Sequence, residues 1–230
     1  MGVIGKLRAG CLCVAILWSG PSVAETDIRG LWVGEAIVSH VQSPNGVHQP
    51  SPAPFSFKLI VNVGQDGALS LVNQAVVVRS PDGSLVLTGR EITRGRLSAL
   101  SDAALLGAEK FGTVGYDMDG GQAPLSGAFG DNATMQTTLT VGPTSDANPF
   151  RHRFHPDHDN LNEAGSPLQD DGEVYAVSRN MAFEFDPELA GERRVGGRFS
   201  EVITGLRANP VEVSGLFVLE QVHFLAGSEE

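Results

Sequence analysis

Residues 55 to 63 read Phe-Ser-Phe-Lys-Leu-Ile-Val-Asn-Val, and residues 64 to 67 continue with Gly-Gln-Asp-Gly. In the first stretch every odd-numbered residue is apolar, and all but one of the even-numbered residues are polar. A repeat of two is the spacing of a β-strand with one buried face, whereas an α-helix repeats every ~3.6 residues. The Asp-Gly pair that follows is a hairpin signal, because glycine accepts a positive φ. The stretch therefore predicts a strand that turns back on itself.

The same pattern extends along the chain in both directions. The Ser80-Pro81-Asp82-Gly83 turn predicts a second hairpin between an apolar run ending at Val78 and residues 84–88, so that the two hairpins form a meander. Further strands are predicted at residues 31–38, 134–141, 174–185, 199–203 and 211–219. Helical spacing is confined to residues 96–108, and loops are predicted at residues 42–54, 142–148, 159–172 and 186–197. We therefore predict an all-β fold, a single antiparallel β-sandwich or barrel with one short helix.

The first residues have the features of an export signal. Lys6 and Arg8 precede an apolar run of about ten residues, and Ser22-Val23-Ala24 is a small-residue cleavage site. The run is too short to cross a bilayer, which takes about 20 apolar residues. We therefore predict a cleaved signal peptide at residues 1–24 and a single β-rich domain at residues 25–230. This domain is expected to be exported, either to the periplasm or as a secreted protein.

Composition narrows the classes of partner. Of the 230 residues 41% are hydrophobic, which is enough apolar surface to offset the entropy cost of folding. The net charge of −11 and the pI near 4.9 argue against a nucleic-acid partner, because phosphates require a basic surface. No membrane span is predicted, and both cysteines, Cys11 and Cys13, fall in the predicted signal. The mature chain is therefore expected to have no disulfide and no thiolate metal site.

A histidine-rich segment between Asn148 and Asn160 holds the strongest candidate site, with the sequence NPFRHRFHPDHDN. Imidazole nitrogens bind zinc and related metals, and carboxylates add charge and oxygen ligands. Pro156 predicts a turn, which would present the side chains around it together. The candidate ligands are His152, His155, Asp157, His158 and Asp159.

Three interpretations of this segment remain open. His and Asp are common turn formers, so the residues could form a hydrogen-bonded polar network that holds a loop in place. They could also bind a divalent metal, either zinc or calcium. A calcium loop of the EF-hand type would need Gly at position 162 and Glu at position 168, where the chain has Asn162 and Leu168. The polar network is the interpretation that we favour.

Three segments resemble a domain found in exported or very large surface proteins of bacteria, a domain with no assigned function. They are Gly30-Leu-Trp-Val-Gly34, the Asn148 to Asn160 segment, and the segment from Gly197 to Leu206. The His-Pro-Asp-His-Asp-Asn core is the distinctive part. The resemblance implies a bacterial, extracytoplasmic β-domain, and it implies no catalytic residues.

Two functional hypotheses follow from these patterns. The first is a non-catalytic exported β-sandwich with a structural or binding role in the cell envelope or extracellular space, whose partner is a surface protein or a glycan. The mature chain has few aromatic residues outside phenylalanine, so the sequence itself gives sugar recognition no positive support. The alternative is a metal-dependent enzyme, a hydrolase with His152, His155 and His158 as ligands and Asp157 or Asp159 as the base.

Overall fold

A computed structural model describes residues 27–42, 46–80, 83–93, 95–112, 118, 121–142, 145, 148, 176–206 and 209–224. The predicted signal peptide at residues 1–24 lies outside these ranges. Within them the strands are β1 (Gly30–Gln42), β2 (His48–Val63), β3 (Leu69–Val72), β4 (Gln74–Ser80), β5 (Gly83–Thr88), β6 (Glu109–Gly112), β7 (Gln122–Gly127), β8 (Thr134–Val141), β9 (Val177–Phe185), β10 (Arg194–Thr204) and β11 (Val211–Phe224). The helices are α1 (Gly89–Thr93) and α2 (Asp102–Leu106).

Eight of these strands close into an antiparallel barrel, in the order β1-β11-β10-β9-β8-β7-β3-β2. Two of the pairings join strands that are not neighbours in the chain: β1 with β11, which closes the barrel, and β3 with β7, between which residues 73–121 intervene. The prediction of an all-β antiparallel fold is confirmed, and of the two architectures foreseen the barrel is correct and the sandwich is wrong. The predicted strand at residues 134–141 is β8, which alternates strictly between exposed and buried side chains.

Aromatic side chains run through the core of the barrel. Seven rings form a continuous column in which successive centroids are 4.8–5.4 Å apart. Their order along the barrel is Trp32, Phe129, Phe185, Phe217, Phe183, Phe199 and Phe57. Tilted and edge-to-face pairs of this kind contribute about 0.5–1.5 kcal/mol each beyond their buried area. Eight strands enclose a space that side chains can fill, and here the column fills it together with aliphatic side chains such as Leu59, Leu71 and Met135.

The tryptophan end of the column is anchored by the chain that enters β1. The indole Nε1 of Trp32 donates a hydrogen bond to the carbonyl oxygen of Ile28 at 2.7 Å. Gln221 of β11 holds the same segment, because its Nε2 donates to the carbonyl oxygens of Asp27 and Arg29. The Arg29 side chain donates in turn to the Asp27 carboxylate, and this bond lowers the pKa of Asp27. The buried indole therefore has a fixed partner.

Glycines permit the strong curvature of the wall. A Cβ atom at Gly34 of β1 would overlap the carbonyl oxygen of Val218 on β11. A Cβ atom at Gly215 of β11 would overlap the carbonyl oxygen of Ile37 on β1. A side chain is therefore excluded at these two positions, and a close approach of another backbone is a known reason for glycine in a strand.

A second, smaller sheet of order β5-β4-β6 covers one side of the barrel. Between the two lies an apolar layer made of Leu31, Ile60, Val72, Ala75 and Val77. The opposite face of this outer sheet packs against the helical residues, with Val76, Val78 and Leu87 at its centre. β4 is therefore apolar on both faces, as expected for a central strand with a layer on each side.

Asn73 separates the two sheets. The sequence predicted one continuous partner strand reaching Val78, but the chain breaks at Asn73 between β3 and β4. The first hairpin, β2–β3, belongs to the barrel, and the second, β4–β5, belongs to the outer sheet. Both turns are placed correctly, since Ser80 pairs with Gly83, but the single meander is wrong. A strand buried on both faces carries no alternation that would show where it changes sheet.

The predicted helix and loops are displaced by a few residues. Within residues 96–108 the chain forms a 3-10 turn at Arg96–Ala99 and then α2, and Leu97, Leu100 and Ala104 pack on the outer sheet. β2 already begins at His48 and β10 at Arg194, inside stretches that were predicted as loops. The early part of β2 is mostly exposed, so its sequence lacks the buried face that marks a strand. At the start of β10, Val195, Gly196 and Gly197 are buried, but a pair of glycines is a turn signal in sequence.

His223 of β11 lies between the barrel wall and the outer sheet. It is 8% exposed and stands opposite Leu31 of β1. Its Nδ1 has no hydrogen-bond partner among the residues that the structure describes. Burial lowers the pKa of His223, and the positive charge of Arg79 on β4 lowers it further. Arg79 is itself paired with Glu109 of β6 at 3.2 Å.

We expect stability to fall in mild acid because of His223. A histidine in an unfolded chain has a pKa near 6.5, so the unfolded chain takes up the proton before the folded one does. Neutral His223 makes its full contribution to the free energy of unfolding above about pH 6.5. This contribution is lost as the pH falls toward the lower pKa that His223 has in the folded chain. Between about pH 8 and 5.5, the free energy of unfolding measured with urea should fall more steeply for the wild type than for His223→Leu. His40→Gln, at an exposed position, should keep the wild-type slope; equal slopes for wild type and His223→Leu would contradict this account.

Candidate functional site

The predicted site residues His152, His155, Asp157, His158 and Asp159 lie outside the described residues. The strands that flank them are described. β8 ends at Val141 and β9 begins at Val177, and these two residues pair with each other. The segment that contains the histidines therefore leaves and rejoins the barrel at the same end. Whether those five residues form a polar network or bind a metal stays a prediction.

An ion pair lies inside the barrel near this end. Arg179 of β9 and Glu201 of β10 both take inward positions, and the guanidinium donates to both carboxylate oxygens of Glu201, with the Nη2 to Oε2 distance at 3.0 Å. Glu201 is only 2% exposed. Arg179 also stands over the ring of Phe57, 6.0 Å from its centroid, and so caps the aromatic column. A buried carboxylate of this kind depends on its partner, because an unpaired charge in an apolar interior is very costly.

Sequence reasoning did not single out Arg179 or Glu201. The signal was present in β10, where Phe199, Glu201 and Ile203 share one parity and Glu201 therefore occupies an apolar position. A charged residue in the buried register of a strand predicts an internal partner. The identity of that partner depends on the pairing of β9 with β10.

Part of the outer surface of β8, β9 and β10, beyond the row of Thr134, Glu184 and Arg198, is uncharged, and we call this part the polar wall. Three consecutive rows across these strands contain no charged side chain: Gln136, Ala182 and Ser200; Thr138, Asn180 and Val202; Thr140, Ser178 and Thr204. In a chain with 19% charged residues and a net charge of −11, this is an unusual surface. Hydroxyl and amide groups there can both donate and accept hydrogen bonds.

A groove of about 590 Å³ runs along the polar wall where β7 and β8 separate. These strands pair only at Ser126–Gln136 and Gly127–Met135. Farther along, the hydroxyl of Thr137 donates to the carbonyl oxygen of Pro124 at 2.9 Å. Proline has no N–H, so β7 cannot continue the ladder at this position, and a side chain takes over. The proline therefore opens the groove.

Two side chains at this groove are held in a defined orientation. The hydroxyl of Thr138 donates to Oδ1 of Asn180 at 2.7 Å. With Oδ1 engaged, the Nδ2 group of Asn180 offers donors and the Thr138 oxygen offers acceptor positions beside it. A donor next to an acceptor on a rigid strand pair matches the two neighbouring hydroxyl groups of a sugar ring.

A second depression, which we call the lysine cleft, lies between the barrel and β6. Its volume is about 330 Å³, and Val33, Ile60, Phe111 and Val218 provide its apolar lining. Its charged lining residues are Glu35, Lys58, Lys110 and Glu220. The floor is the outer face of β11, β1 and β2, and the wall is the edge of the outer sheet.

Across the described part of the chain, no group of three or more His, Cys, Asp or Glu side chains is placed to hold a metal ion. Searching the same residues for a helix long and apolar enough to span a membrane also finds none. Comparison of the chain with models of known protein families gives no match, and a search of curated proteins gives none either.

We expect the loss of Arg179 alone to reduce stability more than the loss of both charges of the Arg179–Glu201 pair. Arg179→Met leaves the Glu201 carboxylate buried and unpaired, and should lower the free energy of unfolding by about 3–5 kcal/mol. The double variant Arg179→Met/Glu201→Leu removes both charges and should recover most of this loss, as measured by urea unfolding. Arg198→Met, at an exposed position on β10, serves as the control and should change stability by less than about 0.5 kcal/mol. Equal losses in the single and double variants would show that the charge itself is not the cause.

Proposed function

We propose that the protein is an exported, non-catalytic β-barrel module that binds a neutral glycan on its polar wall, in the cell envelope or extracellular space. The export part of this proposal is supported by the features of residues 1–24 and by the resemblance of three segments to domains of bacterial surface proteins. The binding part is supported by the groove in the polar wall, where the Thr138–Asn180 pair presents a donor beside an acceptor.

The filled interior favours an external site. Six of the eleven phenylalanines are in the aromatic column, together with Trp32. These rings occupy the space in which larger barrels hold a ligand. The outer surface is therefore the better candidate for contact with a partner.

The chemistry of the polar wall favours a neutral partner over a charged one. Its three rows have no charged group that would attract ions or pay a desolvation cost on contact. The net charge of −11 would repel an acidic polymer. A chain of neutral sugars supplies hydroxyl groups for the Ser, Thr, Asn and Gln side chains. Because no aromatic ring lines the groove, the expected affinity is modest.

The export proposal predicts the start of the mature chain. Protein recovered from the native host should begin at Glu25, since the peptidase cleaves after Ser22-Val23-Ala24. Mass spectrometry of the intact protein measures this directly. A chain that retains Met1 and remains in the cytoplasm would contradict export.

The binding proposal predicts that the mature chain binds at least one of a panel of neutral oligosaccharides made of glucose, N-acetylglucosamine or galactose. Thr138→Val/Asn180→Leu removes two polar groups and should weaken this binding at least about tenfold by calorimetry, because each hydrogen bond contributes about 1 kcal/mol. Thr134→Val lies on β8 outside the groove and should bind as the wild type does. The absence of binding to every member of the panel, or equal affinity in the double variant, would overturn the proposal.

A further inference from the structure

The polar surface continues past β10 toward β1. Ser200 lines the groove of the polar wall, and it also lines a neighbouring depression of about 470 Å³. Ser39 of β1 and Ser214 of β11 line the same depression, which we call the serine depression. The groove and the serine depression therefore adjoin at Ser200.

One row of cross-strand neighbours passes through both features. Every member of the row lines the groove or the serine depression, and none is Asp, Glu, Lys or Arg. Paired strands lie about 4.8 Å apart, so a row that crosses six strands is about 24 Å long. This length suits an extended polymer that contacts several strands better than it suits a single sugar. From β7 to β1 the row consists of Ser126, Gln136, Ala182, Ser200, Ser214 and His40.

The serine depression differs from the polar wall in having an apolar border. Leu216 of β11 lines the depression, and Ile37 of β1 is directly opposite it. Leu216 is 52% exposed and Ile37 is 40% exposed. Exposed aliphatic surface gains free energy when an apolar group of a partner covers it. The partner is therefore expected to carry an apolar group beside its polar ones.

The acidic and basic residues of the serine depression balance. Glu184 of β9 and Arg198 of β10 both line it and are directly opposite each other. Cross-strand neighbours have Cβ atoms about 4.5–5.5 Å apart, which lets opposite charges offset each other. The imidazole Nδ1 of His40 is 2.9 Å from the Ser39 hydroxyl, and this contact orients the ring. Because the acid and the base offset each other, the depression matches a neutral partner, as the polar wall does.

We propose that the polar wall and the serine depression together bind a chain of N-acetylated amino sugars, with the methyl of one acetamido group against Leu216 and Ile37. An acetamido group has an amide N–H donor, a carbonyl acceptor and an apolar methyl. The hydroxyls of Ser200 and Ser214 can donate to the carbonyl and accept from the N–H, and the aliphatic pair covers the methyl. This inference rests on the proposed glycan function and narrows it to one class of sugar.

The test uses the mature chain and two matched probes, the chitin pentamer and the cellulose pentamer. These are chains of N-acetylglucosamine and of glucose with the same linkage, so they differ only in the acetamido group that replaces one hydroxyl of each sugar. In isothermal titration calorimetry the chitin pentamer should bind at least about fourfold more tightly, because burying one methyl group corresponds to a factor of about this size. Thr138→Val/Asn180→Leu should weaken the binding of both pentamers, because one chain contacts both features.

Variants of the apolar border locate the acetamido group. Ile37→Ser/Leu216→Ser should remove the preference for the chitin pentamer. The cellulose pentamer should bind this variant as it binds the wild type, which also shows that the variant is folded. Leu85→Ser/Leu106→Ser removes two exposed leucines outside both features and should retain the preference.

The outcomes separate this inference from the proposed function. Equal affinities of the wild type for the two pentamers, or tighter binding of the cellulose pentamer, would overturn the inference and leave glycan binding on the polar wall in place. A preference that survives in Ile37→Ser/Leu216→Ser would also overturn it. If neither pentamer binds, the inference is wrong, and the proposed function is wrong as well when galactose oligosaccharides also fail to bind.

Discussion

The aromatic column is the constraint on which the rest of the structure depends. Eight strands enclose a space that side chains can fill, and here seven rings in successive contact run through the core among aliphatic side chains. Each end of the column has a polar anchor, the Trp32 bond to Ile28 at one end and the Arg179–Glu201 pair at the other. In the wall around this core, glycine is required at Gly34 of β1 and Gly215 of β11, where a Cβ would overlap a backbone oxygen of the paired strand.

With side chains packed inside the barrel, the groove of the polar wall and the lysine cleft lie on its outer surface. The two differ in character, and each results from a local departure from regular sheet. At the polar wall, Pro124 interrupts a ladder and leaves an uncharged groove. At the lysine cleft, the edge of the outer sheet stands over the barrel wall and brings charged side chains beside an apolar floor. The first surface is uncharged, whereas the lining of the second holds two glutamates and two lysines.

The regular strands were the part of the fold that sequence could predict. β2 and β8 have one face toward the core, so apolar and polar residues alternate in their sequence with a period of two. The break at Asn73 was not predictable in this way, because β4 is buried on both faces and has no period. The cleft could not be predicted either, since β6 comes to lie beside β1 and β2 only through the placement of the outer sheet on the barrel. The histidine segment remains the one candidate that local sequence predicts and that the described residues do not include.

The two ends of the outer sheet's chain segment meet at one point of the barrel. The backbone N–H of Asn73 donates to the carbonyl oxygen of Gly121 at 3.1 Å, and Val72 and Gln122 are paired neighbours in the wall. Residues 73–121 are thus an insertion into what would otherwise be an ordinary β3–β7 hairpin, and the barrel is topologically complete without them. The insertion covers Leu31 and Ile60, which would otherwise form an exposed apolar patch on the outside of the barrel. The barrel and its outer sheet can therefore vary separately in length and sequence, provided that this shared apolar layer is kept.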